Sequence, residues 1–376
     1  MSAVSESIAP RRIAVCVGSG GVGKTTVAAT IALQRALRGG RALVCTIDPA
    51  RRLANALGLS TLGNVESRVP EHKFAEAGLH PKGELFAMML DVKRTWDDLV
   101  TRHAPDPARR ERILRNRLYQ QMSAALAGSQ EYMAMEKLYE LATDRDYDLI
   151  VLDTPPTAHA LDFLDAPDRI LDFLGNETAR AVLAPALGAG RLGLRLAQLG
   201  GGYIAKTLAR FTGQEVLGDL GDFLQGFQGM YDGFKERAAA VRALLSRAEV
   251  GFVLVCSPSA VSIDEALAFH ERLHAESMPI AGLVVNRLTP DLWPAGAGPL
   301  PAAEALAPEL AAAGAAADDL ARRLASTLAD HQALATAERR ALAPLLERVT
   351  TAQALVPRLE TDVHDLAGLA RLAEGL

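Results

Sequence analysis

The sequence has little cysteine, and none of it in a ligand pattern. Cys16, Cys45 and Cys256 stand far apart, each inside an apolar run, and there is no Cys-x-x-Cys or Cys/His cluster. A disulfide framework and a zinc ribbon are thereby excluded. No stretch approaches the ~18 uninterrupted apolar residues of a membrane span. Residues 1–10 are polar and hold no apolar signal-peptide core, so they are expected to be the disordered N-terminus of a cytoplasmic protein. A net charge of only −5 over 376 residues argues against nucleic acid as a partner. Any charged partner surface must be local.

What the sequence does have is apolar bulk: 49% of residues are hydrophobic and 23% charged. That is enough for about two domain-sized units with a real core. Five short apolar runs read as buried strands: Ile13–Val17, Ala42–Ile47, Leu149–Leu152, Val250–Cys256 and Gly282–Val285, with Leu85–Leu90 as a sixth. They are continuous rather than alternating, as strands covered by helices on both faces are. The expected fold is therefore α/β, a mostly parallel sheet flanked by helices. Gly18, Asp48, Asp153, Ser257 and Asn286 sit just beyond the runs, and in such a sheet they converge on one edge, where ligands bind.

At that edge the first run leads into Gly18-Ser19-Gly20-Gly21-Val22-Gly23-Lys24-Thr25-Thr26, followed by a helical pattern carrying Val27, Ile31 and Leu37. Strand, loop and helix in this order form a phosphate-binding loop. Its glycines allow backbone N–H groups to approach phosphate oxygens, Lys24 reaches the β- and γ-phosphates, and the Thr25 hydroxyl ligates magnesium. The helix that follows points its positive end at the anion. Asp153, at the end of Leu149–Leu152, takes the place of the second acidic group that holds magnesium through water. Asp48 is followed by Pro49-Ala50-Arg51-Arg52; its carboxylate either orients or deprotonates an attacking water, caps a helix opened by proline, or does both.

Between Asp91 and Ser246 the strand pattern appears only around Asp153. The nucleotide-binding domain is accordingly expected over 11–91, 143–159 and 247–376, with an inserted helical subdomain over 92–142 and 160–246. A second excursion, Thr289 to about Arg340, reads as loop over Trp293–Pro301 and as amphipathic helix beyond.

Four segments together resemble the arsenite-pump and tail-anchored-protein-targeting ATPases, within the deviant Walker A group of P-loop NTPases. They are Gly18 to Thr26, Thr46-Ile47-Asp48-Pro49-Ala50, Asp153-Thr154-Pro155-Pro156-Thr157-Ala158-His159, and Val284-Val285-Asn286-Arg287. The resemblance implies a Mg²⁺-dependent ATPase in which Lys24, Asp48 and Asp153 are catalytic and Thr25 and Asp153 serve the metal. Gly20, Gly21, Val22, Gly23, Lys24, Thr25 and Thr26 would hold ATP phosphates, with Asn286 and Pro357 on either side of adenine. It also implies a dimer, of two copies or with a paralogous ATPase subunit, whose helical subdomains open and close with nucleotide state.

This sequence departs from the family at three points. The signature lysine that reaches the partner's nucleotide falls at position 19, which is Ser19 here. Hydrolysis is then slow, uses another cation such as Arg51 or Arg52, or depends on a partner that keeps the lysine. The cysteine pair that bridges zinc between subunits is missing, and so are the arsenite-binding cysteines. Slow or absent hydrolysis would leave a nucleotide switch that assembles a partner complex.

Two further patterns remain. His270-Glu271-Arg272-Leu273-His274 matches HExxH but stands on a helix between strands without a third ligand, and reads as a solvated helix face. From Thr178 to Gln214 there are five basic residues and no acidic ones, with Leu192, Leu196, Leu199 and Tyr203 on one helical stripe. That stripe either packs inside the helical subdomain or binds an apolar-helix client or an anionic membrane, the last implying a membrane-surface positioning ATPase.

Overall fold

The computed structural model describes residues 2–47, 52–104, 106–117, 119–120, 123, 129–154, 231–293, 298–312 and 317–376. In chain order, α1 (Ala3–Ile8) precedes β1 (Ile13–Val17), and α2 (Lys24–Leu37) follows it. Next come β2 (Arg41–Thr46), α3 (Arg52–Ala56), β3 (Ser67–Arg68), α4 (Glu71–Glu76) and β4 (Glu84–Met89). Helices α5 (Val92–His103), α6 (Pro107–Arg115) and α7 (Ser129–Asp144) lead to β5 (Leu149–Asp153). After α8 (Tyr231–Leu245) the chain runs through β6 (Val250–Cys256), α9 (Ala260–Ala275) and β7 (Ile280–Leu288). It closes with α10 (Ala303–Ala312), α11 (Ala317–Arg348), β8 (Ala352–Pro357) and α12 (Leu366–Gly375).

The strands form one eight-stranded sheet in the order β3-β4-β2-β5-β1-β6-β7-β8, parallel throughout except for the short antiparallel pair β3 and β4. β1 lies centrally between β5 and β6. Its alternate residues enter opposite cores: Ile13, Val15 and Val17 face one side, Ala14 and Cys16 the other. That is why the run reads as continuously apolar, since neither face meets water. On the first side lie Leu99 of α5, Leu138 of α7, Val241 of α8, Phe269 of α9 and Leu345 of α11. On the other lie Ile31 of α2, Leu53 of α3 and Leu369 of α12. Each fully buried side chain of this kind contributes about 1.5–3 kcal/mol. This is the expected α/β architecture of a P-loop NTPase.

The described helices from the expected insertion, α5, α6, α7 and α8, share their core with the sheet. Helix starts are locally encoded there: Asp91 accepts from Arg94 N (2.9 Å), and Asp106 from Arg109 N (2.8 Å) with Pro107 opening the helix. Residues 160–230 and the basic stripe of 178–214 lie outside the described residues.

Several strand ends shift by one or two residues from expectation, so that Asp153 closes β5 instead of following it, and three larger differences stand out. Residues 3–8, expected to be disordered, form α1: Val4 and Ile8 are buried, and Ser5 Oγ donates to Gln34 Oε1 (2.7 Å). Gln34 Nε2 in turn donates to Ala373 O (2.9 Å), so one amide joins α1, α2 and α12. Two apolar residues four apart are too short a pattern to announce a helix, and tertiary burial supplies the rest. β8, which carries Pro357, is absent from the expected strands; it is an edge strand in which Ala354 and Val356 are buried and Leu355 is exposed, so no continuous run marks it. Asn286 lies inside β7 rather than beyond it.

Candidate functional site

Parallel pairing brings the carboxyl ends of the strands to one edge, and the loop after β1 occupies its centre. Gly18 packs against β6 so closely that an added Cβ would lie 1.9 Å from Val255 O. Gly23, immediately before α2, has φ 96°, and a Cβ there would lie 2.3 Å from Asn286 Nδ2. Only glycine fits both positions, for space and, with φ 153° at Gly18 and 96° at Gly23, for conformation as well. Lys24 opens α2 almost fully buried, and its Nζ donates to Gly18 O (2.8 Å) and Ser19 O (2.9 Å). The loop is thus a closed ring with a cation held across it and the positive end of α2 beneath it.

Beside the ring lies an oxygen cluster. Thr25 Oγ1 donates to Asp153 Oδ2 (2.6 Å), and Thr46 Oγ1 donates to the same oxygen (2.7 Å). The register explains this, because Asp153 is opposite both Thr46 on β2 and Cys16 on β1. Thr154 Oγ1 donates to Cys16 O (2.8 Å), tying the start of the following loop to β1. A hydroxyl and a carboxylate in contact beside the glycine-rich loop are hard oxygen donors of the type magnesium takes. The residues present therefore fit that ion.

A cavity of about 750 Å³ opens over the ring. Gly21, Gly23, Lys24, Thr25 and Thr26 line it from the loop and α2, Arg52 and Asn55 from α3, Asn286 and Arg287 from β7, and Pro357 from β8. The segment after β8 adds Arg358, Asp362 and His364. Of the expected site residues, seven thus line one cavity: Gly21, Gly23, Lys24, Thr25, Thr26, Asn286 and Pro357. Gly20 lies in the same loop, the Val22 side chain is buried in the core, and Asp153 is reached through Thr25. Asp48, Arg51 and the segment Pro155 to His159 lie outside the described residues.

Sequence reasoning overlooked Thr46 and the wall formed by 358–364. A threonine ending an otherwise apolar strand was a usable signal for the first; nothing local marks the second.

Ser19 stands where the resemblance places a lysine. Its Oγ lies 2.9 Å from Ser262 Oγ in the first turn of α9, and Ser262 Oγ accepts the Ser257 N–H (3.0 Å). The position is therefore tied within the chain. On the same helix Glu271 of the HExxH pattern pairs with Arg348 of α11 (2.5 Å). Burial, followed by the neighbouring His274, lowers the pKa of His270. Among the described residues no group of three or more His, Cys, Asp or Glu is placed to hold a metal. The cysteines are free and buried; burial pushes the Cys45 and Cys256 thiols from 9.0 up to about 12, and Cys16 higher still. Among the described residues no helix is long and apolar enough to cross a membrane.

Comparison with known proteins agrees with this geometry. Residues 11–187 match the family described as Anion-transporting ATPase. The chain is 28% identical over 278 residues to ATPase ARSA2 of Chlamydomonas reinhardtii, covering 72% of this chain and 66% of that protein. It is 26% identical over 292 residues to ATPase GET3C of Arabidopsis thaliana, covering 76% and 68%. With ATPase GET3 of Podospora anserina the identity is 26% over 284 residues, covering 72% and 71%. The matched span is about two thirds of each relative's own length.

Proposed function

We propose that the chain, whose residues 11–187 match the anion-transporting ATPase family, is an arsenite-pump-like ATPase that binds ATP with Mg²⁺, hydrolyses it, and uses nucleotide state to rearrange its helical part around a client or partner. The observation that carries this is a single one: the glycine ring, the Thr25–Asp153 pair and the Asn286–Pro357 wall meet at one cavity. The ring and Lys24 bind and orient the phosphates, and Asn286 with Pro357 flanks the base. Thr25 and Asp153 would hold magnesium, which when bound neutralises phosphate charge. Thr46, donating to Asp153, fixes that carboxylate's orientation. Asp48 orients or deprotonates the attacking water.

Ser19 favours a second reading alongside this one, a slowly hydrolysing switch. A hydroxyl supplies no charge, and a transition-state cation is commonly worth several powers of ten in rate. A cation from Arg51 or Arg52, or a lysine on a paralogous subunit, would restore turnover. We further propose a dimeric assembly in the cytoplasm, with the 178–214 segment receiving an apolar-helix client or an anionic membrane.

Phosphate release from ATP in the presence and absence of Mg²⁺ is the test, with nucleotide binding measured in parallel. Magnesium-dependent turnover lost in Lys24→Ala and Asp48→Asn supports the ATPase. Tight ATP binding with no turnover supports the switch, and no ATP binding at millimolar nucleotide overturns both.

A further inference from the structure

β7 is broken where it borders the cavity. Its pairing with β8 runs to Val285↔Leu355 and resumes at Leu288↔Pro357, so Asn286 and Arg287 together face the single residue Val356. Bulges of this kind re-aim side chains beside functional sites. Arg287 takes φ 62°, a left-handed conformation that is uncommon and strained for a residue with a side chain.

The bulge sends two side chains to two successive carbonyls of the phosphate loop. Asn286 Nδ2 donates to Val22 O (2.8 Å), and Arg287 NH1 donates to Gly21 O (2.9 Å). The Arg287 N–H donates to Asn286 Oδ1 (3.0 Å), which sets which end of the amide faces the loop. In a planar trans peptide the C=O and the following N–H point in opposite directions. Holding Gly21 O from outside therefore aims the Val22 N–H the other way, and holding Val22 O does the same for the Gly23 N–H.

We propose that the Asn286–Arg287 bulge is a brace that presets two phosphate-binding amides, with Arg287 a positioning residue acting through the Gly21–Val22 peptide rather than on the nucleotide. This rests on the cavity being the nucleotide site. Backbone amides of such a loop contact the inner phosphates, so the brace acts on ADP and ATP alike. It also accounts for the strained φ, which glycine would adopt without cost.

The decisive variant is Arg287→Gly, which removes the guanidinium and relieves the backbone at once. Affinities for ADP and for Mg·ATP are expected to fall equally, by about fivefold, while the thermal midpoint without nucleotide stays level or rises. Arg287→Lys, which keeps a donor able to reach Gly21 O, should recover part of the affinity. Unchanged affinity in Arg287→Gly overturns the brace. So does a loss confined to ATP, which would mean direct contact with the terminal phosphate, and so does a loss accompanied by a lower midpoint, which would mean a structural role only. If the wild-type protein binds neither nucleotide, the nucleotide site itself is overturned; if it binds both and Arg287→Gly matches it, the brace alone is.

Discussion

The floor of the cavity is one continuous stretch of chain, from β1 through the glycine ring into α2, whereas its opposite wall comes from β7, β8 and the segment 358–364. Asn286 and the Val22 carbonyl it holds are 264 residues apart. The floor owes its shape to local backbone chemistry: glycines where no Cβ fits, and a lysine and a helix N-terminus that follow in sequence. The wall owes its place to the sheet, which sets β7 two strands from β1. On the function proposed above, such a site would bind phosphate by local geometry and read the rest of the ligand by tertiary geometry. Substitutions in the floor should therefore abolish function, and substitutions in the wall should tune it.

Lys24→Ala tests the floor most severely. ATP hydrolysis is expected to drop by about a thousandfold or more, and turnover within tenfold of wild type would break the distinction. Gly23→Ala strikes where floor and wall touch. With φ 96° and Asn286 Nδ2 2.3 Å from the new Cβ, it should cost roughly 2–4 kcal/mol in urea unfolding and weaken nucleotide binding. Combining it with Asn286→Ala should recover part of that loss, because one clash is shared by both residues. Strict additivity of the two would show that floor and wall are independent.

Asn286→Ala alone removes the donor from a buried carbonyl and should cost about 1–2 kcal/mol, with discrimination between ATP and GTP reduced in competition binding. The sheet beneath both regions carries a pH signature. Cys45 and Cys256 ionise near 9.0 when unfolded and only near about 12 when buried, so their contribution is complete below pH 9 and is lost as pH rises from 9 toward 12. At pH 10 this amounts to about 1 kcal/mol per thiol. The variant carrying Cys45→Ala and Cys256→Ala should lose correspondingly less stability between pH 8 and pH 10. Ser262→Ala, which unties Ser19 from α9, is the mildest change: about 0.5–1 kcal/mol, with turnover within twofold of wild type. A larger fall in turnover would make that tether part of the floor.

Strand positions were legible because parallel strands buried on both faces must be apolar without interruption. Ile13–Val17 and Val250–Cys256 appear with the bounds expected, and Leu85–Leu90 is displaced by one residue. β8 was not legible, because an edge strand buries only Ala354 and Val356 and so never forms a run. α1 escaped for a related reason, since its two buried apolar residues gain meaning only once α1 packs against β7 and β8. In the site, the glycine-rich loop could be read because its residues are consecutive. Thr46 could not be paired with Asp153 without the register of β2 against β5, and Arg287 could not be paired with Gly21 without the bulge in β7.

Alone, then, the sequence determined the sheet's buried strands and the glycine ring with Lys24 and Thr25. Each of these follows from neighbouring residues, through continuous apolarity or through conformations that only glycine adopts. The tertiary structure decided which residues face the ring: Asp153 and Thr46 from adjacent strands, Ser262 against Ser19, and Asn286 and Arg287 against two loop carbonyls. Those contacts depend on strand order, register and one bulge, which arise from how whole faces pack and are written in no short segment of the chain.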